Sequence, residues 1–394
     1  MRLFSLFVVS LCLVLVTPES GWGENAGPVQ LRGASFAGLH RKALRGGDVR
    51  ILFLGGSITQ NTQGHSAIVP QWIQRRYPQA NVEGINGGLS STCSNAGAFR
   101  FASLIRKHAP IDLLVVEFAV NDDQDAGHDL ASAIRGMEGV VRRAKREGMD
   151  VLMVQYVNPP LLESVQTGEP ATALRAHRLV ADRYGVPTAD IVVALAESIK
   201  QGGMDWKQYG GVHPNAAGYE FASRVITDAL ASLLSAPSQE AAPLPEPLDA
   251  GSYSAGRWVS PGEARFTGEW LHGHPSRELI PKGAIREQYA AYPLARSGQP
   301  GSALELEFEG TAVGAFVLAG PDAGQLGVSI DGGPVREIEL YHRYSRGLNY
   351  PRMVMFADGL KPGRHRVSLT LLETHHPQSV GSAINLLYFG VHLP

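Results

Sequence analysis

The sequence predicts an α/β domain built on a parallel, helix-covered sheet, followed by an all-β sandwich. Three observations carry this. From residue 49 to 235, short apolar runs alternate with helical patterns, the mark of strand–helix–strand units. Residues 236–250 then carry four prolines and no periodic apolar face, the composition of a semi-rigid linker. Beyond it, seven or so short strand patterns follow one another without a helix, the texture of a jelly-roll type of sandwich. A chain of 394 residues is in any case long for one domain. The expected division is a leader over 1–24, an α/β domain over 25–235, a linker over 236–250 and a sandwich over 251–394.

Taken in order, residues 22–48 lead into the sheet, with a short helical pattern from Phe36 to Leu44. Val49 to Leu54 is a continuous apolar run, as a buried parallel strand requires. It ends in Gly55, Gly56 and Ser57. Glycines permit φ > 0 and close approach of other chain segments, so Ser57 is delivered to the C-terminal sheet edge, where open α/β sheets bind ligands. A serine there is a helix cap or a nucleophile. A helix over Ser66–Tyr77, a strand over Asn81–Ile85 and a helix over Asn95–Lys107 follow. The third strand is Leu113–Phe118. Leu130, Ile134, Met137, Val141 and Ala144 recur at helical spacing, so an amphipathic helix covers the sheet. Val151–Val157 is the fourth strand, closed by Pro159-Pro160. A helix over Ala171–Tyr184 leads to a fifth strand at Pro187–Ile191, and a last helix runs from Pro214 to Leu234, proline in its first turn. In the sandwich the strands are expected at 303–308, 312–318, 326–330, 337–341, 352–356, 364–371 and 384–391.

A formal net charge of −2 makes no case for nucleic acid or an anionic membrane as partner. Arg2 followed by fourteen mostly apolar residues, Leu3 to Val16, reads as a secretory signal peptide, too short to span a bilayer. Leu11 precedes Cys12, so a lipoprotein signal is not expected. That leaves Cys93 as the one cysteine of the mature chain, implying export without disulfides, to a periplasm or the exterior. Stable membrane insertion after cleavage is not expected.

Four stretches carry the chemistry: Gly55-Gly56-Ser57-Ile58-Thr59, Asn86-Gly87-Gly88-Leu89-Ser90-Ser91, Glu117-Phe118-Ala119-Val120-Asn121-Asp122 and Val212-His213-Pro214-Asn215. In this order they resemble the four blocks of the SGNH (GDSL-like) hydrolase superfamily, over roughly residues 45–235. The branch with a Gly-Gly-Ser-Ile-Thr first block, which is similar to carbohydrate acetylesterases, is the nearest match. The resemblance implies a flavodoxin-like three-layer domain, an acyl-Ser57 intermediate and His213 as base and then acid. It also implies oxyanion donors from the Ser57 N–H, a second-block N–H (Gly88, or Ser91 if its backbone permits) and the Asn121 side chain. No metal or other cofactor is implied. The family's usual acid stands three residues before the histidine, where this chain has Gly210. Asp205 reaching back to His213, a backbone carbonyl serving a Ser–His dyad, and a non-catalytic relative are the three accounts left open.

The resulting expectation is a secreted serine esterase that removes O-acetyl groups from carbohydrate. The alternatives are an O-acetyltransferase using the same acyl-enzyme and a glycan-binding relative without turnover. Glu117 is expected as a buried, hydrogen-bonded group under the site, and Asp190 as a helix cap. Asp122, Asp123, Asp125, His128 and Asp129 lack a metal-ligand spacing and read as a solvated helix start. His375-His376 reads as surface and Cys93 as packing. Trp258, Trp270, Tyr289, Tyr292, Tyr341, Tyr344 and Tyr350 offer stacking surfaces for glycan, with about half of them expected in the core.

Overall fold

The computed structural model describes residues 27–169, 171–239 and 242–393; the leader expected over 1–24 lies outside them. The first domain runs β1 (Val29–Gln30), α1 (Ala37–Leu44), β2 (Asp48–Gly55), α2 (Ser57–Gln60), α3 (His65–Arg76), β3 (Asn81–Gly88), α4 (Ser94–His108) and β4 (Leu113–Val116). A π-helical turn (Asn121–Asp125) then precedes α5 (Leu130–Arg146), β5 (Asp150–Gln155), α6 (Pro159–Thr167), α7 (Thr172–Tyr184), β6 (Thr188–Asp190), α8 (Ile191–Lys200), α9 (Trp206–Tyr209) and α10 (Ala216–Ser235). The sheet order is β1-β6-β5-β4-β2-β3, parallel except for the β1 edge. The order reverses at β2, so the chain leaves that strand at the topological switch point, where such sheets bind ligands. Helices α1, α3 and α10 pack one apolar face and α4, α5 and α7 the other, giving three layers.

Four helices received no range from the sequence: the single turns α2 and α9, and the longer α6 and α8. Pro159 and Pro160 do not merely close a strand: they open α6, which Asn158 caps by accepting from the Leu161 N–H. Proline suits a first turn because its missing N–H would have no partner there. Asp190 ends β6 and caps α8 through the Val193 N–H. The stretch expected as a semi-rigid linker over 236–250 makes specific contacts over its second half. Glu138, on α5, accepts from the Leu248 and Asp249 N–H groups, and Arg142 donates to the Pro245 carbonyl. Residues 245–249 are thereby strapped along α5.

The second domain contains β7 (Gly256–Val259), β8 (Arg265–Thr267), β9 (Leu271–Gly273), β10 (Leu294–Ser297), β11 (Ala303–Gly310), β12 (Ala312–Ala319), β13 (Gln325–Ile330), β14 (Arg336–Glu339), β15 (Tyr350–Ala357), β16 (Gly363–Leu371) and β17 (Ile384–His392). Four short strands, β7 to β10, join those read from sequence. They form one antiparallel sheet ordered β15-β12-β17-β10-β9, with β7 also on β17, and another ordered β14-β13-β16-β11-β8. In β11, Leu304, Leu306 and Phe308 point inward between Glu305, Glu307 and Glu309, the alternation of a sheet wet on one side. In β12 all eight residues are buried. One face of that strand packs in the sandwich, and the other meets the α/β domain. Phe99 of α4 stacks on Trp258, which stacks in turn on Phe316 and Tyr388. An apolar contact of this kind fixes two domains against each other.

Candidate active site

The β2 strand ends at Gly55-Gly56, and Ser57 opens α2. Neither glycine has positive φ; close approach is what excludes a side chain. A Cβ at Gly55 would lie 2.2 Å from Glu117 Oε1, and one at Gly56 2.1 Å from Asn121 Oδ1. The turn therefore nests against the third block. Glu117 Oε1 accepts from the Gly56 N–H at 2.9 Å and from Thr59 Oγ1 at 2.6 Å, while Oε2 has no partner. Burial, opposed by the bonds from Thr59 and Gly56, pushes this carboxyl up to about 7.

That shift has a testable consequence. The folded pKa lies above the ordinary value of 4.5, so the native state holds this proton more tightly. Stability from this group is complete below about pH 4.5 and is lost as pH rises through about 7. Glu117→Gln keeps the Oε1 acceptor and carries no charge to bury. Relative to wild type, its melting temperature is expected to rise steadily from pH 5 to pH 8. A difference that stays flat with pH would refute the assignment.

His213 lies in the loop between α9 and α10, and its Nε2 stands 2.8 Å from Ser57 Oγ. Asn215 caps α10 by accepting from the Gly218 N–H and ties back to Gln208 O. Tyr219 of α10 donates to the Ile58 carbonyl at 3.0 Å, joining the histidine loop to α2. Asp205 is not at the imidazole. It caps α9, accepting from the Gln208 N–H at 2.7 Å in a reciprocal capping box. Among the described residues, no carboxylate or carbonyl is hydrogen-bonded to His213 Nδ1 on this exposed ring. Gly210 closes α9 at φ +102°, and a Cβ there would fall 2.4 Å from Asn215 N. The local backbone thus has no room for an acid three residues before the histidine.

The structure also separates the second-block candidates. The Gly88 N–H, still in β3, is taken by Asn86 Oδ1 at 2.9 Å. Ser91 adopts φ +62°, a conformation commoner for glycine, and its N–H meets no acceptor among the described residues. Asn121 packs on Gly56 and donates to Asp125 Oδ2 at 2.6 Å, which leaves its second amide hydrogen. Ser57, His213 and Asn121 come together, and the second-block turn is tied to α2 through the Ser90 N–H on Gln60; Asp205 and the Gly88 N–H are engaged elsewhere.

Asp122 departs from the expected solvated helix start. It is buried between His128 and His177 and accepts from the Ser94 N–H at 2.8 Å. Burial works against its charge, yet the histidines hold its carboxyl below the usual range. Cys93 is buried, as expected of packing. Sequence reasoning missed Arg100. Its guanidinium is buried and donates to the Gly87 and Gly55 carbonyls at 2.6 and 2.9 Å. It thus ties together the two strand ends from which Ser57 and the Ser91 turn emerge, and burial pushes it down to about 10. The signal was an arginine between Phe99 and Phe101, on the apolar face of a helix.

The two domains meet beside the Ser91 turn and the Asn121–Asp125 turn. A cavity of about 280 Å³ is lined by Ser91, Asp125 and His128 on one side and His342, Tyr350 and Arg352 on the other. A more open cleft of about 540 Å³ runs between Asp123, Gln124 and Pro160 and the sandwich residues Tyr341, His342 and Arg343. Of the aromatics offered for stacking, Tyr289, Tyr341 and Tyr350 are buried, Trp258 lies in the domain contact, and Tyr344 is exposed.

Residues 53–221 match the model of the GDSL-like Lipase/Acylhydrolase family. No curated protein sequence matches the chain. Among solved structures, a two-domain esterase active on acetylated mannans superposes with a TM-score of 0.73 at 20% identity, over 93% of this chain and 99% of that one. Its form co-crystallized with mannopentaose gives 0.71 at 20% identity, over 93% and 98%. At this identity the likeness is one of fold, and it runs through both domains.

Proposed function

We propose, from the premise that this chain carries a GDSL-type carboxylic ester hydrolase domain, that it is an exported serine esterase removing O-acetyl groups from carbohydrate. The observation that carries the reading is Ser57 Oγ at 2.8 Å from His213 Nε2, at the end of the strand where the sheet order reverses. Ser57 Oγ attacks the acetyl carbonyl while His213 takes its proton. The oxyanion is received by the Ser57 N–H, the Ser91 N–H and Asn121 Nδ2. His213 then gives the proton to the sugar oxygen as its bond to the acyl carbon breaks, and the sugar leaves as the free hydroxyl. Water, deprotonated by the same imidazole, attacks the acyl-Ser57 ester; the acyl C–Oγ bond breaks, His213 returns the proton to Ser57 Oγ, and acetate is released. With Asp205 held as a cap, the pair works as a dyad.

The carbohydrate part is supported by the two-domain likeness to an acetylated-mannan esterase and by an open cleft between the domains. Export is supported by the apolar run from Leu3 to Val16, and no helix among the described residues is long and apolar enough to cross a membrane. Recovery of a shortened chain from the periplasmic or extracellular fraction checks this.

The test is acetate release from O-acetylated mannan and from p-nitrophenyl acetate, with Ser57→Ala as the blank. Release from both supports the reading; none above the blank from either overturns it. Asn121→Ala is expected to lower kcat on p-nitrophenyl acetate by about 10²–10³, since it removes one oxyanion donor. A change below about threefold would exclude Asn121 from that role.

A further inference from the structure

We propose that the sandwich domain completes the oxyanion site, with Arg286 as a positioning residue that holds the Ser91 N–H toward the reacting acyl group. The proposal rests on the esterase reading above. Ser91 is one of three non-glycine residues with positive φ among the described residues, a conformation an L-residue does not hold unaided. Two anchors come from the second domain. Arg286 Nη1 donates to Ser91 Oγ at 2.8 Å, and Tyr289 OH donates to the Ser90 carbonyl at 3.0 Å. On the other side the Ser90 N–H donates to Gln60 Oε1 at 2.8 Å. The turn is gripped from both domains, and among the described residues the Ser91 N–H is left without an acceptor.

The anchors are themselves fixed. Tyr289 is buried, its ring against Tyr292 and Phe316. Its segment is tied to the rest of the sandwich by Ala284, whose N–H donates to Gly347 O and whose carbonyl accepts from the Asn349 N–H. The sandwich also holds the turn that carries Asn121: His342 Nε2 lies 3.0 Å from the Asp125 carbonyl, and Arg343 donates to the Gln124 carbonyl. Both arms of the oxyanion site beyond Ser57 itself are therefore braced by a domain that contributes neither nucleophile nor base. A binding module hung on a finished hydrolase would have no need of these contacts.

The test compares the full-length chain with Arg286→Met, Arg286→Lys, Ser91→Ala and the Arg286→Met/Ser91→Ala double variant. The substrate is p-nitrophenyl acetate, which is too small to need a distant glycan subsite. Melting temperature is followed alongside kcat and KM. Arg286→Met and Ser91→Ala should each lower kcat about tenfold with KM within about twofold, and the double variant should lose no more than the worse single. Arg286→Lys, which can still donate, should retain more kcat than Arg286→Met. A kcat within twofold of wild type for Arg286→Met overturns the proposal, even where the melting temperature falls, since that is the mark of domain adhesion alone. So does a loss carried by KM, or a double loss equal to the product of the singles. Wild type active with Ser57→Ala dead leaves the esterase reading standing in each of these cases. An inactive wild type removes that reading and this inference together.

Discussion

Ser57→Ala should lower kcat on p-nitrophenyl acetate by a factor on the order of 10⁴ or more, with His213→Ala close behind. The two groups act as one device: without the imidazole at 2.8 Å, the hydroxyl keeps its proton and is a poor nucleophile. Asp205→Asn is expected within about threefold of wild type, because asparagine is as good a helix cap as aspartate and the carboxylate does not reach His213. This pairing of results separates a dyad from a triad. A loss of a hundredfold or more in Asp205→Asn, with the fold intact by circular dichroism, would return Asp205 to the catalytic group.

The second large effect is expected where intuition points the other way. Gly210→Asp installs an acid at the position where the resemblance noted in the sequence leads one to expect it, yet it should damage the protein. The residue would be forced to φ +102° with its Cβ 2.4 Å from Asn215 N. Left-handed backbone costs an L-residue about 1–2 kcal/mol, and relieving the clash displaces the cap that aims His213. Stability should fall by about 2 kcal/mol or more, and kcat by at least about tenfold. Thermal denaturation and kinetics decide it: an unchanged melting temperature with a raised kcat would show that the loop accepts an acid after all.

These expectations mark where sequence reasoning succeeded and where it stopped. Strand and helix positions were legible because hydrophobic period and breaker residues are local, as in the run from Val49 into Gly55-Gly56. Helix α6 was passed over because Pro159-Pro160 was read as an end, although proline also opens helices; Asp190 was read as a cap, but the helix it caps, α8, was given no range. The unbroken apolar stretch of β12 (Ala312–Ala319) was legible as a strand. Its meaning, a strand covered on both faces, lay in the contrast with the alternating β11. Asp122 read as solvent-facing because its neighbours are acidic; only the packing of α4 and α7 puts Ser94 and His177 around it.

The sequence by itself determined that a serine leaves the first long strand at a glycine pair, that a histidine precedes the last helix of the α/β domain, and that the chain then changes to all-β. Each is a matter of neighbours within about ten residues. The tertiary structure alone decided which groups meet. It brought His213 to Ser57 and turned Ser91 into the left-handed region under Arg286. Those pairings join residues from 156 to 195 positions apart, and they depend on how sheets and helices close on one another, which no local period encodes.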